Sequence, residues 1–110
     1  MGDRGNIKVG NVYLYTHWTG SHIKKDLQEA LKRKQRWDDE PYLTRIIFCQ
    51  MCEDYGSETG YGISTVICDN EHNILEVSCD SQKVKEVTEE GDLVKEWTFA
   101  EFIKETFRDE

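Results

Sequence analysis

Several familiar signals are missing from this sequence, and each absence narrows the reading. No stretch approaches the ~20 consecutive apolar residues that a membrane-crossing helix requires, so no membrane association is expected. Met1-Gly2-Asp3-Arg4-Gly5 lacks the apolar core of a secretion signal, and Asn6 stands where N-myristoylation calls for Ser or Thr. A cytoplasmic location is therefore expected. Repeats, low-complexity runs and linkers are absent. So is the strict βαβ alternation of a dinucleotide-binding domain, and no Lys-Ser/Thr follows a glycine-rich loop as in a Walker motif. No Ser or Cys stands beside a His in a recognisable nucleophile motif. Catalytic residues are not assigned, no cofactor is expected, and the reading favours a binding module over an enzyme.

Positive charge is also scarce. Against 22 acidic side chains there are 14 basic ones, giving a formal net charge of −8. Such a balance repels phosphate backbones, so direct nucleic-acid binding is disfavoured. The one basic cluster, Lys32-Arg33-Lys34-Gln35-Arg36, closes a helical pattern, where cations complement the helix dipole. What remains is a chain with 37% hydrophobic residues in clear periodic patterns. Its 110 residues suit a single domain, 1–110, that folds without staples.

Those patterns predict an α+β fold. Ile7-Lys8-Val9 and Val12 to Trp18 read as strands around a Gly10-Asn11 turn. On the second strand Val12, Leu14, Thr16 and Trp18 share one face, and Tyr13, Tyr15 and His17 the other. Ser21 is the expected N-cap of a helix with an apolar stripe of Ile23, Leu27, Ala30 and Leu31. Asp38-Asp39-Glu40-Pro41 marks the start of a second helix, with Gly56 as its expected end. Leu43, Ile46, Ile47, Phe48, Met51 and Cys52 spread over more than one stripe, which predicts burial on two sides. Ile63–Asp69 and Ile74–Asp80 alternate as a hairpin would, with Val66 opposite Val77 and Ser64 opposite Cys79. A second, more exposed hairpin spans Val84 to Thr98 and turns at Glu90-Gly91-Asp92. Thr98-Phe99-Ala100-Glu101 is a capping box, starting a helix that runs toward Phe107. The order ββ-αα-ββ-ββ-α predicts a mainly antiparallel sheet with helices packed on one face.

Four cysteines invite a metal reading, since Cys49-x-x-Cys52 has the spacing of half a zinc site. Cys49 and Cys52 lie within a continuous helical pattern, however, not on the turn of a zinc knuckle. In the predicted hairpin Cys68 and Cys79 lie about four residues out of register, roughly 13 Å along a strand. That is too far for a disulfide. Both alternate with Val and Leu, so the expectation is reduced core thiols and no metal.

Two places carry functional potential. His17 and Trp18 stand where an aromatic strand enters a glycine-containing turn; they either stack on a planar ligand or serve the sheet structurally. The segment Gly56 to Ser64 combines permissive glycines with hydroxyls, and its amides can approach an anion closely. Its alternative is a plain helix-to-strand connection. The candidate ligand-binding set is therefore His17, Trp18, Arg45, Glu58, Thr59, Gly60, Tyr61, Gly62 and Ser64, with Arg45 as a second anion contact.

Val12 to Trp18, Arg36-Trp37-Asp38-Asp39 with Tyr42 to Phe48, and Glu58 to Ser64 with Asp69-Asn70 together resemble a family of small bacterial and phage proteins. The likeness runs from Met1 to about Cys79. The family carries no established activity, cofactor or catalytic residue. The resemblance implies a genomic context in which small proteins counter host defence. It gives the expectation of a homo-oligomeric phage or prophage protein, in the host-cell cytoplasm, that sequesters a small anionic, nucleotide-like immune signal. The alternative is an acidic protein–protein inhibitor of a basic host defence protein, and the third possibility is a small enzyme.

Overall fold

The first element is a hairpin. Gly10 takes a φ of 59°, which lets the two-residue Gly10-Asn11 connection reverse the chain and bring Val9 opposite Val12. The computed structural model describes residues 3–53, 60–67 and 70–107. Within them, β1 (Gly5–Val9) and β2 (Val12–Thr16) form this antiparallel pair.

A short 3₁₀ turn, Gly20–His22, then leads into α1 (Ile23–Lys32). The predicted stripe of Ile23, Leu27, Ala30 and Leu31 is buried. Ser21 is not the N-cap. It lies inside the 3₁₀ turn, and its hydroxyl donates to the Asp3 carboxylate instead. Helix α2 (Glu40–Cys52) starts at the predicted acidic junction, with Asp39 as N-cap accepting from the Tyr42 amide and Pro41 in the first turn. Burial on two sides does not hold. Leu43, Ile47 and Met51 form one fully buried stripe, while Ile46 and Phe48 are half-buried on its flanks. Gly56 lies outside the described residues.

Four further strands follow: β3 (Tyr61–Ser64), β4 (Ile74–Ser78), β5 (Lys83–Val87) and β6 (Leu93–Thr98). They join the first hairpin in one six-stranded sheet of order β3-β2-β1-β4-β5-β6. This sheet is mixed, not mainly antiparallel, and its order differs from a row of successive hairpins. The predicted pairing of β3 with β4 is replaced by two others. β3 pairs antiparallel with β2, setting Ile63 against Leu14 and Ser64 against Tyr13. β4 pairs parallel with β1, setting Leu75 beside Ile7 and Val77 beside Val9. The reason is burial: a central place surrounds the apolar run Ile74-Leu75-Val77 with neighbours on both edges, which a terminal hairpin would not. Val66, expected in the core opposite Val77, is 66% exposed. Cys68 and Asp69 lie outside the described residues.

The β5–β6 hairpin forms as expected, with Gly91 at a φ of 94° in its turn. Both halves of the capping box are present at 98–101, the Thr98 side chain accepting from the Glu101 amide and the Glu101 carboxylate from the Thr98 amide. Helix α3 (Phe99–Phe102) is shorter than predicted. The buried Gln28 of α1 donates to the carbonyls of Phe102 and Glu105, which satisfies the helix end at that point. Phe107 nevertheless returns to the Trp97 and Phe102 rings, at 6.0 and 4.8 Å between centroids.

The strand registers place Ile7, Leu14, Leu75, Val77, Val84 and Trp97 on one face of the sheet. They share a single hydrophobic cluster with residues of all three α-helices. The other face carries a cross-strand row of Tyr13, Lys8, Glu76, Lys85 and Glu96, in which opposite charges alternate. Among the described residues no helix is long and apolar enough to cross a membrane.

Candidate functional site

β2 ends at Thr16, so His17 and Trp18 lie just beyond the strand and not within it as the sequence pattern suggests. The Tyr15 hydroxyl lies 2.8 Å from His17 Nδ1, and the His17 and Trp18 rings meet edge-on at 5.2 Å. The His17 amide donates to the Gly60 carbonyl over 2.7 Å, tying this end to the entry of β3. Gly60 has a φ of 90°, and a β-carbon there would fall 2.2 Å from Trp18 Cζ3, so the indole lies directly against the glycine backbone. Trp18 remains 40% exposed.

Around this point the structure brings His17, Trp18, Gly60, Tyr61 and Gly62 together. Gly62 and Tyr61 are strand residues opposite Tyr15 and Thr16, so this part of the glycine segment is sheet and not a loop cradle. Ser64 lies farther along β3 opposite Tyr13, its hydroxyl accepting from the Val66 amide. Arg45 is not part of the group. It is exposed on the side of α2 away from Leu43, Ile47 and Met51, while Tyr15 and His17 lie on the sheet face that the helices leave open. Glu58 and Thr59 lie outside the described residues.

A concavity of about 820 Å³ opens elsewhere, between the start of α1, the 70–73 segment and the β5–β6 turn. At its rim the Asp3 carboxylate joins three segments. One oxygen accepts from the Ser21 hydroxyl at 2.5 Å and the Ser21 amide at 3.0 Å; the other lies 2.5 Å from His72 Nε2. Asp3 also accepts from the Gly20 amide through its carbonyl and donates to the His17 carbonyl. Gly20 permits this approach, since a β-carbon there would meet the Asp3 carbonyl oxygen and His72 Cδ2 at 2.7 Å each. Burial alone would raise the Asp3 pKa, but the hydrogen bonds from Ser21 and His72 outweigh it and hold the carboxyl below its ordinary value.

Ser, His and Asp meet here, yet not in the order of an acyl-transfer triad. In a triad the imidazole stands between hydroxyl and carboxylate and takes the hydroxyl proton. Here the carboxylate stands between the other two, so it binds the hydroxyl without an imidazole to deprotonate it. The arrangement is a clasp. Sequence reasoning missed it because Asp3 and His72 are far apart in the chain, and neither sits in a motif.

The cavity wall is acidic. Glu71, Glu86, Glu89 and Glu90 line it, against Lys24 as the lysine of the wall. Lys24 pairs with Glu86 at 3.2 Å, and Asn73 donates to the other Glu86 oxygen. Glu71 accepts from the Arg4 amide and Glu89 from Asn70. The wall therefore favours a cationic group over an anionic one.

The cysteines divide differently from the expectation of core thiols. Cys49 is exposed on α2, and Cys52 and Cys79 are partly buried. Burial, reinforced by Glu40 and Asp80, pushes the Cys79 thiol up to about 11; burial and Cys49 raise Cys52. Both thiols stay protonated near neutrality, which disfavours thiolate chemistry. Among the described residues no group of three or more His, Cys, Asp or Glu side chains is placed to hold a metal ion. The chain matches no protein-family model, no curated protein and no solved structure.

Proposed function

We propose that this protein is a non-catalytic binding protein whose acidic cavity receives a basic side chain of a partner protein. The observation that carries the reading is the wall of Glu71, Glu86, Glu89 and Glu90 around a concavity of about 820 Å³. The net charge of −8 adds long-range attraction for a basic partner. In the phage or prophage setting that the family resemblance implies, that partner is a basic host defence protein and the binding inhibits it.

A second reading keeps the aromatic end of β2 as a stacking surface for a small anionic, nucleotide-like ligand. Its support is the exposed indole of Trp18 beside His17. Its weakness is the position of Arg45, which leaves the phosphate without the expected cation.

Calorimetry with two probes separates them. An arginine-rich peptide should bind, weaken as salt is added, and lose most of its affinity in Glu89→Lys/Glu90→Lys, because exposed charge pairs are screened. A cyclic dinucleotide should give no heat. Binding of the dinucleotide, lost in Trp18→Ala, together with no response to the peptide, would reverse the choice.

A further inference from the structure

The basic cluster Lys32-Arg33-Lys34-Gln35-Arg36 is only partly explained by the helix it follows. α1 ends at Lys32 with Arg33 as its C-cap, so the helix dipole accounts for these two cations. Lys32 also pairs with Glu29, and Arg33 reaches Gln50 and Glu53. Lys34 and Arg36 lie beyond the helix, exposed, and both take left-handed backbone, with φ of 53° and 60°. An L side chain adopts that region at a cost, so the surrounding contacts hold it there. The Lys34 amide donates to the Leu31 carbonyl, and the Asp39 amide to the Arg36 carbonyl. Between them Trp37 anchors the loop, its indole N–H donating to the Leu31 carbonyl and its ring meeting Phe99 at 5.3 Å. The Arg36 guanidinium lies 4.6 Å over the exposed Tyr42 ring, which fixes it at the surface, and Asp39 approaches it only to 4.0 Å.

We propose that this loop is received by the acidic cavity of a second copy, so that chains associate head to tail. The inference rests on the reading of the cavity as a cation site, and adds what fills it when no other partner is bound. The occupant follows from charge complementarity. Glu71, Glu86, Glu89 and Glu90 form the wall, and Lys34 and Arg36 are cations held out to solvent. Position excludes the chain's own loop. The cavity opens at the first turn of α1, beside Ile23 and Lys24, and the loop follows its last, about 15 Å away along ten residues. The net charge of −8 repels two copies at long range, but physiological salt screens that repulsion beyond about 8 Å, while charges in contact stay paired. A loop already held in place loses little freedom on docking. The contact joins unlike surfaces, so association continues past a dimer unless a ring closes. A basic partner protein then competes with self-association for the same wall.

Sedimentation velocity on the full chain tests it with two variants. Lys34→Gln/Arg36→Gln removes the loop's charge and keeps the cavity; Glu89→Gln/Glu90→Gln does the reverse. The wild type should gain mass as its concentration rises to high micromolar, and lose that gain in about 1 M salt. Each variant alone should stay at the mass of one chain. Their equimolar mixture should give twice that mass and no more, since each pair holds one charged loop and one charged cavity. If circular dichroism shows that the double loop variant does not fold, Lys34→Gln, a change at an exposed side chain, takes its place. A wild type of single-chain mass throughout, a variant that associates as the wild type does, or a mixture that stays single-chain overturns the proposal. The arginine-rich peptide tells the two failures apart. If it binds the wild type while the mixture stays single-chain, only the self-docking fails; if neither binding nor association is seen, the cation site itself fails.

Discussion

At the scale of single residues, Asp3 concentrates more structure than its place near the N-terminus suggests. Its carboxylate accepts the Ser21 hydroxyl and amide and faces His72, while its backbone joins His17 and Gly20. Asp3→Asn keeps the shape but turns one acceptor into a donor, so one of these partners loses its bond. The side chain is 34% exposed, and solvent tempers the loss to about 1 kcal/mol near neutral pH. The pH dependence has a definite sign. The folded-state pKa lies below the ordinary carboxylate value, so the stabilisation is complete above the unfolded pKa of about 3.9 and fades as pH falls through the folded value. Urea midpoints for wild type and Asp3→Asn should differ at about pH 7, and the gap should narrow as pH falls below about 3.9. A constant gap across that range would show that the clasp does not titrate.

At the scale of elements, α2 separates what periodicity encodes from what it leaves open. Leu43, Ile47 and Met51 are spaced four apart and fully buried, while Phe48, equally apolar, remains only half-buried. Ile47→Ala should therefore cost about 2–5 kcal/mol in urea denaturation, and Phe48→Ala clearly less despite the larger group removed. Equal losses would restore the two-sided burial that composition suggested. Local signals of this kind were largely legible, with the Ser21 cap and the length of α3 as exceptions. The Gly10-Asn11 turn, the α1 stripe, the Asp39 cap, the Gly91 turn and the Thr98–Glu101 box all concern residues within a few positions of one another. Strand partners were not legible. The alternation of Ile74 to Ser78 states that one face is buried but not which strand lies alongside, and a sequence-adjacent hairpin satisfied it as well as the parallel pairing with β1. The same limit divided the candidate site. His17, Trp18 and Gly60 meet through neighbouring strands, whereas the clasp of Asp3, Ser21 and His72 depends on the non-local β1–β4 geometry.

At the scale of the whole molecule, the parallel pairing of β1 with β4 holds two sub-sheets together. On one side lie β2 and β3, on the other β5 and β6. A fragment that stops after Ile67 contains β1 to β3, α1 and α2 but lacks the strand that covers the free side of β1. It should show no cooperative unfolding transition and should be cut rapidly by protease; a folded, protease-resistant fragment would mean that the first sub-sheet is self-sufficient. The same seam gives the chain a history during synthesis. β1 is made before β4, its second neighbour, which follows only after both long helices and β3. Until then the future centre of the sheet is an open margin, bearing Ile7 and Val9 and able to pair with any strand it meets. The protein is thus most prone to misassembly before it is complete, and the speed with which Ile74 to Ser78 follows sets how long that interval lasts.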